Sequence, residues 1–194
     1  MAAPAVSNVV AGKPLASGGV LNGPLGTALP TNASTPADAA FKALGYISED
    51  GLTETTERST EKVRAWGGDT VKVIQTEFAA TFSFSFIESV NADVLKVVYG
   101  DSNVTTTAAT PTAGTLHAIK VTGEELDHDS WIFEVKDGDA RIRIVVPNGQ
   151  VTTVGEITYS DGGVIQYDVT VETFKDASGA YYYKYIDNGV VDPA

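Results

Sequence analysis

The sequence predicts a mainly β fold (β-rich α+β): two packed antiparallel sheets or a partial barrel, with one or two short helices. Three observations predict it. In TEFAATFSFSFIESV, residues 76–90, Phe78, Ala80, Phe82, Phe84 and Phe86 hold one parity while Ala79, Thr81, Ser83 and Ser85 hold the other. Alternation over this length is an extended strand with one aromatic face and one small, mostly hydroxylated face. The same period returns in SWIFEVK, RIRIVVP and VIQYDVTVETF, and the turn signals DGD, PNG, SDGG and DASG separate these runs.

Taken in order, residues 1–37 stand apart from the rest. Lys13 is their only ionisable side chain, and Pro4, Pro14, Pro24, Pro30 and Pro36 are five of the eight prolines in the chain. No period of 2 or 3.6 persists, so this stretch builds no core of its own. A solvated tail is rich in charge; Val9, Val10, Leu15, Val20, Leu21 and Leu25 instead predict an extended arm laid against another surface. The expected organisation is therefore an arm over 1–37 and one β-sandwich domain over 38–194.

That domain is expected to open with a helix. Thr35 is placed as N-cap, Pro36 takes the first helical position, Asp38 lies three residues past the cap, and Gly45 stops the run ADAAFKAL. VKVIQTE then leads into the phenylalanine strand. A second short helix is read in NADVLKVVYG, with Asn91 as cap, Asp93 at the positive end and Gly100 as stop. Val90 and Leu95 occupy the two positions of a hydrophobic staple. Residues 101–114, DSNVTTTAATPTAG, read as a long exposed loop. Downstream, Trp131, Phe133 and Val135 oppose Glu134 and Lys136; Ile142, Ile144 and Val146 oppose Arg141 and Arg143; Ile165, Tyr167, Val169 and Val171 oppose Gln166, Asp168, Thr170 and Glu172. In AYYYKY, Tyr181, Tyr183 and Tyr185 share a face and Tyr182 takes the other, and at least half of these rings are expected in core or subunit contacts rather than on a sugar-stacking platform.

Composition excludes several functions. A chain of 194 residues with formal charge −12 repels polyanions, so DNA or RNA is not gripped through phosphates, although DNA is not forbidden as a passing neighbour. With no cysteine there is no disulfide, thiol nucleophile or cysteine zinc site. The start MAAPAVSNVV lacks a basic n-region, and apolar stretches are soon interrupted; the expectation is a protein without secretory signal or membrane span, made in a cytoplasm.

No catalytic residue, cofactor site or metal site is predicted. His117 in LHAIKV reads as a strand-face residue and His128 in EELDHDSW as a solvated one. Asp127 and Asp129 have the first two spacings of a calcium loop, but Ile132 stands where glycine is required and Gly138 where glutamate is. Glu124, Glu125, Asp127 and Asp129 form a turn that attracts a cation weakly at most. The glycines of ASGGVLNG fit neither nucleotide motif, and Asn32-Ala33-Ser34 and Asn103-Val104-Thr105 are chance glycosylation acceptors.

Several segments carry a resemblance: ALGYISEDGL at 43–52, AWGGDTV at 65–71, TFSFSFIESVNADVLKVVYG at 81–100, and IVVPNGQVTTVGEITYSDGGVIQYDVTVETFKDASGAYYYKYID at 144–187. In order and spacing they resemble the tail tube (major tail) proteins of long-tailed, non-contractile bacteriophages, notably those infecting actinobacteria. The resemblance implies a structural virion protein that self-assembles into stacked hexameric rings, the hollow conduit for DNA ejection. It implies no enzymatic activity and no cofactor. Its partners would be other copies of the chain, a tape measure protein and a tail terminator, with DNA passing through unbound. In such a tube Thr81, Ser83 and Ser85 would face the channel or a neighbouring subunit, and the six apolar arm residues would contact the next ring. The competing expectation is a β-sandwich carbohydrate- or cell-surface-binding module, for which a monomer suffices.

Overall fold

The structure, a computed structural model, describes residues 9–15 and 19–191. Residues 1–8 and 16–18 of the expected arm lie outside the described residues. Its strands are β1 (Val20–Pro24), β2 (Lys42–Ala43), β3 (Thr53–Arg64), β4 (Thr70–Phe86), β5 (Val104–Thr107), β6 (Leu116–Ile119), β7 (His128–Asp137), β8 (Ala140–Val154), β9 (Tyr167–Thr173) and β10 (Tyr183–Asp187), with one helix, α1 (Ala92–Tyr99). Two antiparallel sheets result. The larger runs β2-β1-β7-β8-β9-β4-β3 with β10 beside β8, and the smaller is β5-β6.

The larger sheet folds over on itself because of β8. One edge of β8 pairs with β7; along the other, Arg141–Val145 pair with β10 and Gly149–Val154 with β9. Register shifts at Asp129/Trp131 and Val151/Thr153 mark bulges at the bend. Gly149 sits there because a Cβ would lie 2.9 Å from both Trp131 and Val171. The fold brings the phenylalanine face of β4 down onto β7. Phe82 and Phe133 have ring centroids 4.9 Å apart, and Phe84 meets Phe133 edge-on at 5.6 Å. Phe82, Phe86, Trp131 and Phe133 are essentially inaccessible, and α1 closes this core with Val94, Leu95 and Val98. A smaller core lies on the opposite face of β7 and β8, where Ile132 and Val145 are covered by Phe41.

The helix α1 forms as its signals dictate. The Asn91 side chain accepts from the Asp93 amide at 3.0 Å, and Gly100, at φ 96°, donates to the Lys96 carbonyl at 2.8 Å. The staple does not form, since Val90 remains 79% exposed while Leu95 is buried.

Two other expectations are corrected. The helix expected from Thr35 to Gly45 is absent: Asp38 caps a tight turn, accepting from the Ala40 amide, and Lys42 and Ala43 then pair with Asn22 and Leu21. Extended backbone buries both Phe41 and Leu44, and that burial outweighs weak helical propensity. Gly45 is still needed at φ 75°, because a Cβ would stand 2.1 Å from the Glu88 carboxyl group, which accepts from the Tyr46 amide and from Asn91. The segment 101–114 is exposed over Thr105–Gly114, but a 3-10 turn and β5 open it, and β5 pairs with β6 as a hairpin.

The leader, expected as an arm laid against another surface, lies in part on the subunit's own sheet. Val20 is 1% exposed and pairs with Phe133, and Leu21 packs on the Phe41 core. Ahead of β1, Pro14 bridges Val135, the Leu15 amide donates to the Glu134 carbonyl at 3.2 Å, and the Lys136 amide donates to the Lys13 carbonyl at 2.8 Å. Residues 11–15 and 20–24 thus share the edge of β7 that β8 leaves open.

The tyrosines of AYYYKY are accounted for by packing. Tyr182 meets Phe82 edge-on at 5.3 Å, Tyr181 lies 4.7 Å from Phe78, and Tyr183 and Tyr185 stack at 6.4 Å. The preceding turn is held by Asp176, which accepts from the Ser178 and Ala180 amides, from the Ser178 hydroxyl and, at 2.6 Å, from the Tyr183 hydroxyl. The Tyr183 hydrogen bond, joined by that of Ser178, holds the Asp176 carboxyl down at about 2. A depressed carboxylate stabilises the turn above its unfolded value and ceases to do so as pH falls through its folded one. Amide exchange at Ser178 and Ala180 is therefore expected to accelerate between about pH 4 and pH 2, and Asp176→Asn is expected to reproduce the loosening at neutral pH. Unchanged protection in both cases would contradict this role for Asp176.

Candidate functional site

The face of β4 turned away from the core carries Thr81, Ser83 and Ser85, all half-buried. Residues directly opposite in antiparallel strands share a face. Thr81 lies between Thr55 of β3 and Glu172 of β9, Ser83 between Thr53 and Thr170, and Ser85 opposite Asp168. The Ser83 and Thr170 hydroxyls bond to each other at 3.0 Å. Thr53, Ser83, Ser85, Thr153, Asp168 and Thr170 line a shallow depression of about 360 Å³. The register places hydroxyls and carboxylates on this face and no cation. The sequence grouped the three β4 residues correctly; the structure adds Thr53, Thr55, Asp168, Thr170 and Glu172 beside them.

Free backbone edges flank the face. β3 ends the strand order, so one side of a twelve-residue strand has no partner among the described residues. On the far side, β7 begins at His128 opposite Gln150, which leaves Val151–Val154 of β8 paired with β9 alone. Long unpaired edges template pairing with another chain, and soluble proteins cover or close them.

Beyond Phe78 the β3–β4 pair leaves the body as a hairpin with both faces exposed. A register shift at Ser59/Thr60 bends it, and Gly67 (φ 113°) and Gly68 (φ 97°) make its turn. Val63, Val71, Val73 and Ile74 are exposed along it, and Trp66 at the tip is 107% exposed. Sequence reasoning did not single out β3 or this hairpin. Two β-branched-rich runs flanking Trp66-Gly67-Gly68-Asp69 were the available signal. Where the hairpin rejoins the body it is tied down: Glu54 accepts from the Tyr182 hydroxyl at 2.7 Å and from Lys184 at 2.5 Å. Burial pushes the Glu54 carboxyl up, but these two hydrogen bonds outweigh it and hold the group below its ordinary value.

The arm residues separate into two sets. Val20 and Leu21 belong to the chain's own sheet, whereas Val9 and Leu25 are 77% and 53% exposed and Val10 and Leu15 are half-buried. The acidic turn is scattered by the fold. Asp127 and Asp129 line a cavity of about 570 Å³ together with Lys42, Lys96, Asp93 and Asp101. Asp129 accepts from Asn22 at 3.1 Å, with its carboxyl pushed up by burial. Among the described residues, no three His, Cys, Asp or Glu side chains gather as a metal-ligand set. His117 bonds Thr106 at 2.9 Å, and His128 bonds Asn148 at 2.7 Å while packing on Phe174. Asn32 accepts from the Ser34 and Thr35 amides, so its side chain closes a turn. Among the described residues, no helix is long and apolar enough to cross a membrane.

Over residues 4–194 the chain matches the family described as phage tail tube protein. No curated protein matches it. Among solved structures it is similar to a chain of the cryo-EM structure of the anti-feeding prophage cap, the AFP tube terminating cap. The identity is 8%, the TM-score is 0.45, and the alignment covers 93% of this chain and 96% of that one.

Proposed function

The chain belongs to the phage tail tube protein family, and on that footing we propose that its copies close into six-membered rings that stack into the conduit for DNA ejection. It is a structural component of a phage tail and not an enzyme. In the proposed ring, the free edge of β3 on one copy meets the free Val151–Val154 end of β8 on the next. The sheets β8-β9-β4-β3 then become one continuous wall with Thr81, Ser83 and Ser85 towards the channel. A head-to-tail contact of this kind closes a ring when its rotation closes, and stacking extends it into a filament. Val9, Val10, Leu15 and Leu25 remain the leader's candidates for contacts to the next ring. Val20 and Leu21 are withdrawn from that role, since they complete the subunit's own core.

The observation that carries this reading is the cation-free face of hydroxyls and carboxylates lying between two unpaired edges. A wall without cations neutralises no phosphate and releases no counterions, so DNA slides along it without binding. The conduit so built belongs to a long-tailed, non-contractile phage of the actinobacterial type, assembled in the host cytoplasm with a tape measure protein inside and a terminator at its end. The test is hydrogen exchange. Of the backbone amides in Thr53–Ser59 and Val151–Val154, those that point to the open edge, away from β4 and β9, are expected to exchange quickly in dilute subunits and to become protected on assembly. Assembled protein in which these amides of both stretches still exchange quickly would contradict the edge-to-edge closure.

A further inference from the structure

At the base of β3 and β4, where Ile47 bridges Phe86 and the Ser48 amide donates to the Ser85 carbonyl at 2.8 Å, a cavity of about 200 Å³ opens beneath the leader. Pro14, Val20, Ile47, Leu52 and Phe133 give it apolar walls. Ser48 also lines it, and Ser48 Oγ is a buried hydroxyl without a hydrogen-bond partner among the described residues. A buried hydroxyl left unpaired is costly, so this site favours an occupant that brings a polar hydrogen. Cavities of about 150 Å³ already admit a benzene ring.

Trp66 stands at the other end of the same two strands. Its ring is fully exposed at a turn fixed by the Ala65 amide donating to the Asp69 carbonyl at 2.8 Å and the Gly68 amide to the Ala65 carbonyl at 3.0 Å. Indole is apolar except for one N–H donor, which matches a socket of apolar walls with one unpaired hydroxyl oxygen. Charge matches as well. Towards the tip, over residues 60–74, Lys62, Arg64 and Lys72 outnumber Glu61 and Asp69, in a chain of net charge −12, while Glu49 and Asp50 sit in the loop that frames the socket. Tip and socket are separated by the twelve residues of β3, roughly 40 Å at about 3.3 Å per residue.

We propose that Trp66 of one copy docks into the Ile47–Leu52 socket of a second copy, with its indole N–H donating to Ser48 Oγ. The occupant is a second copy because donor and acceptor surfaces lie at opposite ends of one strand pair, and a head-to-tail contact of that kind repeats without limit along the strand direction. The proposal rests on the tube-forming reading and assigns its ring-to-ring contact. Each ring is then registered on the one below by an aromatic anchor and an ion-paired rim, the arrangement in which a few buried aromatics dominate an interface.

The experiment uses the full chain. It has two tryptophans, and Trp131 is 1% exposed, so the exposed, acrylamide-quenchable emission of dilute subunits comes from Trp66; Trp66→Phe removes that component and confirms its origin. On assembly this emission is expected to shift to the blue and resist quenching. Trp66→Ala is expected to raise the concentration at which tubes appear by about tenfold or more. Ser48→Ala is expected to raise it by about threefold in the wild-type background and not at all in the Trp66→Phe background, which has no N–H to donate. Because Trp66 touches only solvent in the subunit, its replacement leaves folding intact. Tubes in which Trp66 stays quenchable, or Trp66→Ala subunits that assemble at the wild-type concentration, would overturn this proposal and leave the tube reading standing. Wild-type protein that never multimerises would overturn both.

Discussion

Virions whose tail subunits carry Ser83→Arg, Ser85→Arg and Asp168→Asn are expected to assemble and adsorb, yet to release their DNA at least about tenfold more slowly than wild type. The magnitude follows from the steep dependence of nucleic-acid affinity on the number of phosphates neutralised, repeated at every ring. The third substitution matters. Ser85 lies directly opposite Asp168, and Ser83 is one pair away from Glu172. Arginines introduced alone would find carboxylates already on the wall, and the double variant is expected to show the smaller defect. Removing Asp168 leaves guanidinium groups for DNA. The chemistry at stake is the absence of cations from the face, and none of these three positions contributes to the phenylalanine core. The measurement is the rate of DNA ejection triggered in vitro, with tube structure checked by electron microscopy. Wild-type ejection from intact virions carrying all three changes would remove Thr81, Ser83 and Ser85 from the channel.

Arg143→Ala is expected to cost about 3–5 kcal/mol of folding stability. Arg143 is 6% exposed. Its Nε donates to Glu134 Oε1 at 2.8 Å, its Nη2 pairs with the same oxygen, and its Nη1 donates to the backbone carbonyls of Asn32 at 3.0 Å and Thr35 at 2.5 Å. One side chain therefore neutralises a nearly buried carboxylate and anchors the leader across β8, beside the small core of Phe41, Ile132 and Val145. Truncation leaves Glu134 charged with no partner and two carbonyls unsatisfied. Replacing both partners, as in Arg143→Met with Glu134→Leu, removes the stranded charge and is expected to cost less than Arg143→Ala alone. Urea denaturation reads this as a shift of the midpoint at constant slope. A double variant no better than the single one would show that the anchored carbonyls, and not the ion pair, are what Arg143 supports.

The same residue shows where sequence pattern was informative and where it was not. Alternation placed Arg141 and Arg143 on the face opposite Ile142, Ile144 and Val146, as the structure has it; alternation alone did not show that a second layer covers that face. The clue lay in Trp131-Ile132-Phe133 and Ile144-Val145-Val146, where both parities are apolar, the pattern of a strand buried on both sides. The phenylalanine strand and α1 were legible because each satisfies one strong local rule over its length. The helix expected at Thr35–Gly45 had good caps, but Phe41 and Leu44 bury on different surfaces in extended backbone, a non-local gain that no window of sequence contains. The hairpin escaped for a related reason. β3 is polar on both faces, reading TETTERST from Thr53 to Thr60, and a strand that is exposed along nearly its whole length shows no hydrophobic alternation. Within the candidate site, the hydroxyl parity of β4 was visible from sequence, while its acidic neighbours on β9 depended on a pairing between residues far apart in the chain.

A cryo-EM reconstruction of the purified chain, concentrated until it assembles, tests the account most directly. The predicted result is a hollow tube of stacked six-fold rings in which β3 of each subunit pairs with the β8 end of its neighbour, and in which Thr81, Ser83 and Ser85 line the channel. Compact solitary particles at every concentration, or a tube whose channel is lined by another face of the subunit, would contradict it.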